Sequence, residues 1–224
     1  MNADLCFGFS KTKWEALSLQ LDGNEVAWAE AIGVFERRMR ERFFGSIDAL
    51  VADDTKPDVQ PSGSTGTTGC IPGFSIVALC CLLIETLQGF REGPPSTAAP
   101  TGQCTFPSAP CIKPSSGTNQ QFIKFLHRPA FGGAFNGKAA KEFTSGIRNG
   151  ILHEAETRKW VIWREEPEGK IADAEDDGFA LNRSLFYAAI EREFESYLTE
   201  LRNPANGDLR KRFKNKMDEL CKRA

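Results

Sequence analysis

The chain has 224 residues, with 28 basic and 30 acidic side chains and a formal charge of −2. Hydrophobic residues make up 41% and charged residues 26%, which excludes a wholly disordered chain and provides enough apolar material for one sizeable core. A uniformly basic nucleic-acid-binding coat is excluded too, although local basic patches are not.

The seven cysteines are Cys6, Cys70, Cys80, Cys81, Cys104, Cys111 and Cys221. Their odd number, irregular spacing and lack of a C-x-x-C pair, beside only two histidines, argue against a structural zinc site. No cofactor or metal is expected. The N-terminus lacks the basic region and apolar stretch of a signal peptide. The longest apolar run, Phe74 to Ile84, is shorter than a bilayer span and is followed at once by Glu85. These features predict a cytoplasmic protein without a membrane partner, its thiols free.

The first long periodic segment starts near Asn24 or Glu25. Trp28, Ile32, Phe35, Met39, Phe43, Ile47 and Leu50 recur at three- and four-residue steps, one face of a helix. Arg37, Arg38, Arg40 and Arg42 lie mostly off that face, as a solvated surface or as a phosphate-facing stripe. Residues 53–73 are rich in Gly, Ser, Thr and Pro and predict a flexible loop; no Lys stands where a phosphate-cradling glycine loop would need one. Phe74 to Phe90 is apolar nearly all round and predicts a core helix, stopped by Gly93-Pro94-Pro95. Glu85 on that helix must face water or meet a cation, because an unpaired buried charge is costly. A structural ion pair is its plainest role. Residues 94–118 predict a second flexible loop.

Gln120 to Leu126 predicts a short helix ended by His127-Arg128-Pro129. Lys138 to Ala155 is helical again, with Ala139, Phe143, Ile147, Ile151 and Ala155 on one stripe. Trp160 to Trp163 predicts a strand. The stretch 165–177 carries seven acidic residues and one Lys, and a second strand around Lys170-Ile171-Ala172 would close a hairpin. Asn182 can cap a helix to about Leu201 whose buried face holds Leu185, Phe186, Ala189, Ile190, Phe194, Tyr197 and Leu201. A last helix carries Leu209, Phe213, Met217 and Leu220 within a basic tail, residues 205–224, of net charge +4. The sum is a mainly α chain: one helical domain over residues 1–224, with a small β-hairpin and two long loops.

His127 lies at a helix end, where a histidine ordinarily interacts with the helix dipole. His153 sits in Arg148-Asn149-Gly150-Ile151-Leu152-His153, an R-x-x-x-x-H spacing. With 15 arginines and two histidines in 224 residues, chance alone supplies about 0.13 such spacings. Asn149 stands one turn before His153 on the same face, and Gly150 costs about 1 kcal/mol of helix stability against Ala. A purely structural helix would have little reason to carry that glycine. Ser145, eight residues from His153 on one helix, is badly placed for a nucleophile–histidine pair.

This segment resembles the R-x4–6-H signature of the HEPN superfamily (higher eukaryotes and prokaryotes nucleotide-binding), and the wider run to Trp160 looks like an uncharacterised bacterial subgroup of it. The match covers about residues 138–165. The resemblance implies an up-and-down helical bundle and a metal-independent endoribonuclease, a toxin or antiviral defence effector acting on RNA. It implies Arg148 and His153 as catalytic residues in a composite site at a homodimer interface, and allows an antitoxin or other regulator as partner. Asn149 would orient His153 or donate to phosphate. Glu85, if beside this helix, would pair with Arg148 and fix its direction. A non-catalytic RNA- or nucleotide-binding module, or a partner-binding helical protein, carries the same residues. Geometry poses one difficulty: five residues on an ideal helix leave Arg148 and His153 about 140° apart.

Overall fold

The computed structural model describes residues 4–21, 23–54, 71–93, 118–175 and 177–223. Most of both predicted loops, with Cys70, Cys104 and Cys111, lies outside the described residues. The ends of those loops are helical: residues 53–54 and 71–73 belong to flanking helices, and so does Thr118.

The architecture is mainly helical with two small sheets. Strands β1 (Asp4–Cys6) and β2 (Phe9–Ser10) form an antiparallel ribbon that the sequence did not signal, and α1 (Lys11–Ala16) follows. Helix α2 (Glu25–Met39) starts on Asn24, whose side chain accepts from the Ala27 N–H. Trp28, Ala31, Ile32, Phe35 and Met39 are buried along its length. A π-helical turn, Arg40–Phe44, then leads into α3 (Gly45–Asp54), with the Gly45 N–H donating five residues back to the Arg40 carbonyl. That turn inserts one residue into the helical repeat. The buried stripe therefore passes from Met39 to Phe44 and Ile47, and Phe43, predicted on the core face, is only half-buried.

Helix α4 (Ile71–Glu92) runs through the centre, packed against α3, α5 (Thr118–Leu126), α8 (Arg183–Arg202) and α9 (Gly207–Arg223). Ile76, Val77, Cys80, Cys81, Leu83, Ile84, Leu87 and Phe90 are buried. Burying a side chain of this size contributes about 1.5–3 kcal/mol. Its segment Gly73–Glu92 is, by length and composition, long and apolar enough to cross a membrane, unlike the shorter run read from the sequence; here it fills the bundle interior. Its more accessible stripe is Leu82, Glu85, Thr86 and Gly89.

Two aromatic clusters hold the bundle together. Phe35 meets Phe90, Phe194, Tyr197 and Phe213 with ring centroids 4.5–6.0 Å apart. A second cluster, Phe131, Phe135, Phe143, Trp160 and Phe186, lies beside the segment that carries His153. Two buried arginines are paired with carboxylates. Arg210 is 1% exposed, forks onto both Glu25 oxygens at 2.7 and 2.8 Å, donates to the Leu201 and Arg202 carbonyls, and lies 4.7 Å from the Trp28 ring. Arg91 reaches Glu193 at 2.7 Å and Glu200 at 3.0 Å over the Tyr197 ring. The basic tail is thus tied into the fold by at least one of its charges.

The small sheet corrects the predicted hairpin. Strand β3 (Trp160–Trp163) lies where expected, but β4 (Ala172–Glu175) does not pair with it. A further strand, β5 (Gly178–Asn182), sits between them, parallel to β3 and antiparallel to β4. The hairpin is β4–β5. The close approach of Lys159 explains Gly178, where an added Cβ would lie 2.1 Å from the Lys159 carbonyl oxygen. Asn182 then caps α8 by accepting from the Leu185 N–H, and its amide donates to the Glu165 and Pro167 carbonyls, bracing the acidic segment.

Candidate functional site

The R-x-x-x-x-H segment spans three pieces of helix. Helix α6 (Gly137–Phe143) ends in a second π-helical turn, Thr144–Arg148, and α7 (Asn149–Glu154) completes the run. Phe143, Thr144, Ile147 and Ile151 are buried, and the Thr144 hydroxyl donates to the Ala140 carbonyl at 2.7 Å. The Asn149 N–H donates to the Thr144 carbonyl, the five-residue bond of the π turn. Arg148 is its last residue, beside α4.

Ala155, predicted on the buried stripe, instead closes the helix in the left-handed region at φ 55° and is exposed. The N–H groups of Ala155 and Glu156 both converge on the Gly150 carbonyl. Folding the chain back in this way brings the Glu156 carbonyl oxygen to 2.4 Å from where a Gly150 Cβ would stand. Gly150 therefore has a structural reason to be there, contrary to the expectation from sequence. It permits the tight reversal that leads to β3.

Arg148 and Glu85 come together. The guanidinium Nε donates to Glu85 Oε1 at 2.5 Å, and Nη1 donates to Asn149 Oδ1 at 2.7 Å. The side chains are 15% and 28% exposed, so the pair is partly shielded from water. Buried Cys81 lies within their field: burial lifts its thiol far above the ordinary range, the Glu85 charge adds to this, and Arg148 opposes it. The cation that Glu85 needs is thus Arg148. Two acceptors fix the direction of the guanidinium, and its Nη2 has no hydrogen-bond partner among the described residues.

His153 lies in the last turn of α7 and is exposed. Among the described residues it makes no hydrogen bond or salt bridge. Its neighbour Glu154 is held below the usual carboxylate range, chiefly by a hydrogen bond from Arg158, with His153 adding. Asn149 is turned to Arg148, not to His153. Within one chain, therefore, Arg148, Asn149 and Glu85 converge, and His153 is not joined to them by any contact among the described residues. The regular turns of α7 keep the two positions on separate sides, as the helical angle requires. His127 follows α5 directly, exposed, its N–H donating to the Ile123 carbonyl.

Sequence reasoning did not find the cleft beside this pair. Glu85 forms part of its wall with Arg38, Arg42 and Lys216. The arginine stripe was its one signal; the π turn that shapes it left none. No family model, no curated protein and no solved structure matches the chain.

Proposed function

We propose that the chain is a metal-independent endoribonuclease with a HEPN-like helical bundle, acting on RNA as a homodimer. The observation that carries this reading is an oriented guanidinium and an accessible imidazole five residues apart on one short helical run. Arg148 is aimed by Glu85 and Asn149 and keeps Nη2 for a phosphate oxygen, while His153 faces solvent. RNA carries its own nucleophile. A neutral imidazole removes the 2′-hydroxyl proton, the 2′-oxygen attacks the adjacent phosphorus, and an imidazolium protonates the departing 5′-oxygen. Arginine stabilises the charge that builds on the phosphorane oxygens. The products are a 2′,3′-cyclic phosphate and a 5′-hydroxyl.

One chain offers His153 and Arg148 on different sides of a helix, so the complete site takes both from two subunits around a two-fold axis. Two histidines then divide the roles of base and acid. A toxin or defence effector, controlled by an inhibitor or activating signal, suits such an activity.

A second reading is a non-catalytic RNA- or nucleotide-binding module. The ion pair of Arg148 with Glu85 favours it, because a guanidinium already neutralised by a carboxylate gives less charge to a phosphorane. Paired oligonucleotides separate the two. In EDTA, an RNA strand is expected to be cut to cyclic-phosphate ends and the same strand with a 2′-deoxy residue at the cut position is expected to survive. Binding of both strands with cutting of neither would establish the module and remove the nuclease.

A further inference from the structure

A cleft of about 560 Å³ lies between α2 with its π turn, α4 and α9. It is within the usual size range of small-molecule sites. Its charge and its surface are of two kinds. Arg38, Arg42 and Lys216 supply three cations, and the one carboxylate on the wall, Glu85, is already matched by Arg148. Arg42 makes no ion pair among the described residues. Arg38 donates to the Leu5 carbonyl, which fixes its place without neutralising it. Burial and then the charge of Arg42 push the Arg38 guanidinium below the usual arginine range. Two guanidiniums that repel each other one helical turn apart are relieved by an anion between or beside them. Lys216 is the exception, held 2.9 Å from Glu219.

Most of the remaining lining is apolar, with Thr86 and Gln121 as the polar exceptions. Leu82 is 40% exposed on an otherwise buried helix, and the π turn presents half-buried Phe43 to the same space. Gly89, in the same lining, is about two helical turns beyond Leu82 on α4. A Cβ built there would find no atom within 4 Å. Glycine inside a helix lowers its stability relative to alanine, and here no close neighbour requires the small residue. Its effect is to leave space.

We propose that this cleft binds a phosphomonoester with a flat ring, of nucleotide size, its phosphate on Arg38 and Arg42 and its ring against Leu82 and Phe43. The proposal does not depend on RNA cleavage at Arg148 and His153. Two sources share this chemistry, a free mononucleotide and the phosphorylated 5′ end of an RNA.

The test is calorimetric titration of the whole chain with adenosine 5′-monophosphate, phenyl phosphate, adenosine and inorganic phosphate. The two esters are expected to bind, and adenosine and phosphate alone to bind at least about tenfold more weakly, since each keeps only half of the contacts. Arg42→Gln, at an exposed position, should weaken the esters by about tenfold or more, the scale of a lost charge-assisted bond. Gly89→Leu should block them by filling the space, with circular dichroism confirming the fold. His153→Ala, which touches neither the cleft nor Glu85, should leave ester binding within about threefold, which separates this site from the nuclease reading. A 5′-phosphorylated RNA tetranucleotide that competes with the mononucleotide assigns the ligand to an RNA end; one that does not compete assigns it to the free nucleotide. No ester binding at millimolar concentration, or equal binding by wild type and Arg42→Gln, would overturn the proposal.

Discussion

Replacing Gly150 by alanine tests the account of the segment that carries the candidate site. In an unconstrained helix interior this change stabilises by about 1 kcal/mol. Here the added methyl would stand 2.4 Å from the Glu156 carbonyl oxygen, a backbone atom that cannot swing away like a side-chain tip. Reaching ordinary contact requires that carbonyl to move by about 1 Å, an overpacking of the kind that costs about 1–3 kcal/mol. The movement also loosens the Glu156 N–H bond to the Gly150 carbonyl, already 3.3 Å long, a loss of about 1 kcal/mol. The sum, less the helix gain, is a net destabilisation of about 1–3 kcal/mol. Urea unfolding followed by tryptophan fluorescence measures it, with Trp160 close to the reversal. A variant as stable as wild type, or more stable by about 1 kcal/mol, would show that Gly150 is not held by the reversal of the chain.

Arg210→Ala should destabilise by about 2–4 kcal/mol, because it strips two backbone carbonyls and the Trp28 face of their donor, whereas Glu25→Gln, at an exposed carboxylate, should move the urea midpoint far less. Glu85→Gln leaves Arg148 with a neutral acceptor. A loss of about 1–2 kcal/mol in the same assay is expected after allowing for partial exposure of the pair. The Cys221 thiol is pushed up to about 11, by burial first and then by Asp218 and Glu15. Its neutral form is therefore favoured by folding: this contribution is whole below the ordinary thiol range and is lost as pH rises through about 11. Peptide-resolved alkylation should accordingly show Cys221 slow at pH 8 and half-titrated near pH 11, with Cys80 and Cys81 unreactive in the folded protein; rapid labelling of Cys221 at pH 8 would contradict the burial described here.

Local signals made much of the fold legible. Asn182 announced one helix start because a side-chain oxygen at that position satisfies an open N–H, and apolar periodicity placed another near Asn24, which the structure shows capping in the same way. The nearly all-round apolarity of Phe74 to Phe90 marked the central helix, which packs against neighbours on most of its surface. What escaped was set by contacts between distant segments. A π turn adds one residue without a compositional mark, so the stripe jumped from Phe43 to Phe44. Gly178 and the apolar Phe179-Ala180-Leu181 form the inner strand because Lys159 approaches from 19 residues away, which local periodicity does not record. At the candidate site, the need of Glu85 for a cation could be read from its apolar surroundings, and the resemblance pointed to Arg148. The role of Gly150 could not be read, because Glu156 reaches it only after the helix has closed on Ala155.

The proposed cleavage requires an imidazole and a guanidinium of this helix to act together on one phosphodiester. The most direct measurement compares wild type, Arg148→Ala and His153→Ala on RNA in EDTA, with end groups assigned and urea midpoints recorded for each protein. Wild type is expected to yield cyclic-phosphate and 5′-hydroxyl ends and neither variant any, all three remaining folded. Undiminished cutting by His153→Ala, or cutting that stops when divalent metal is chelated, would contradict it.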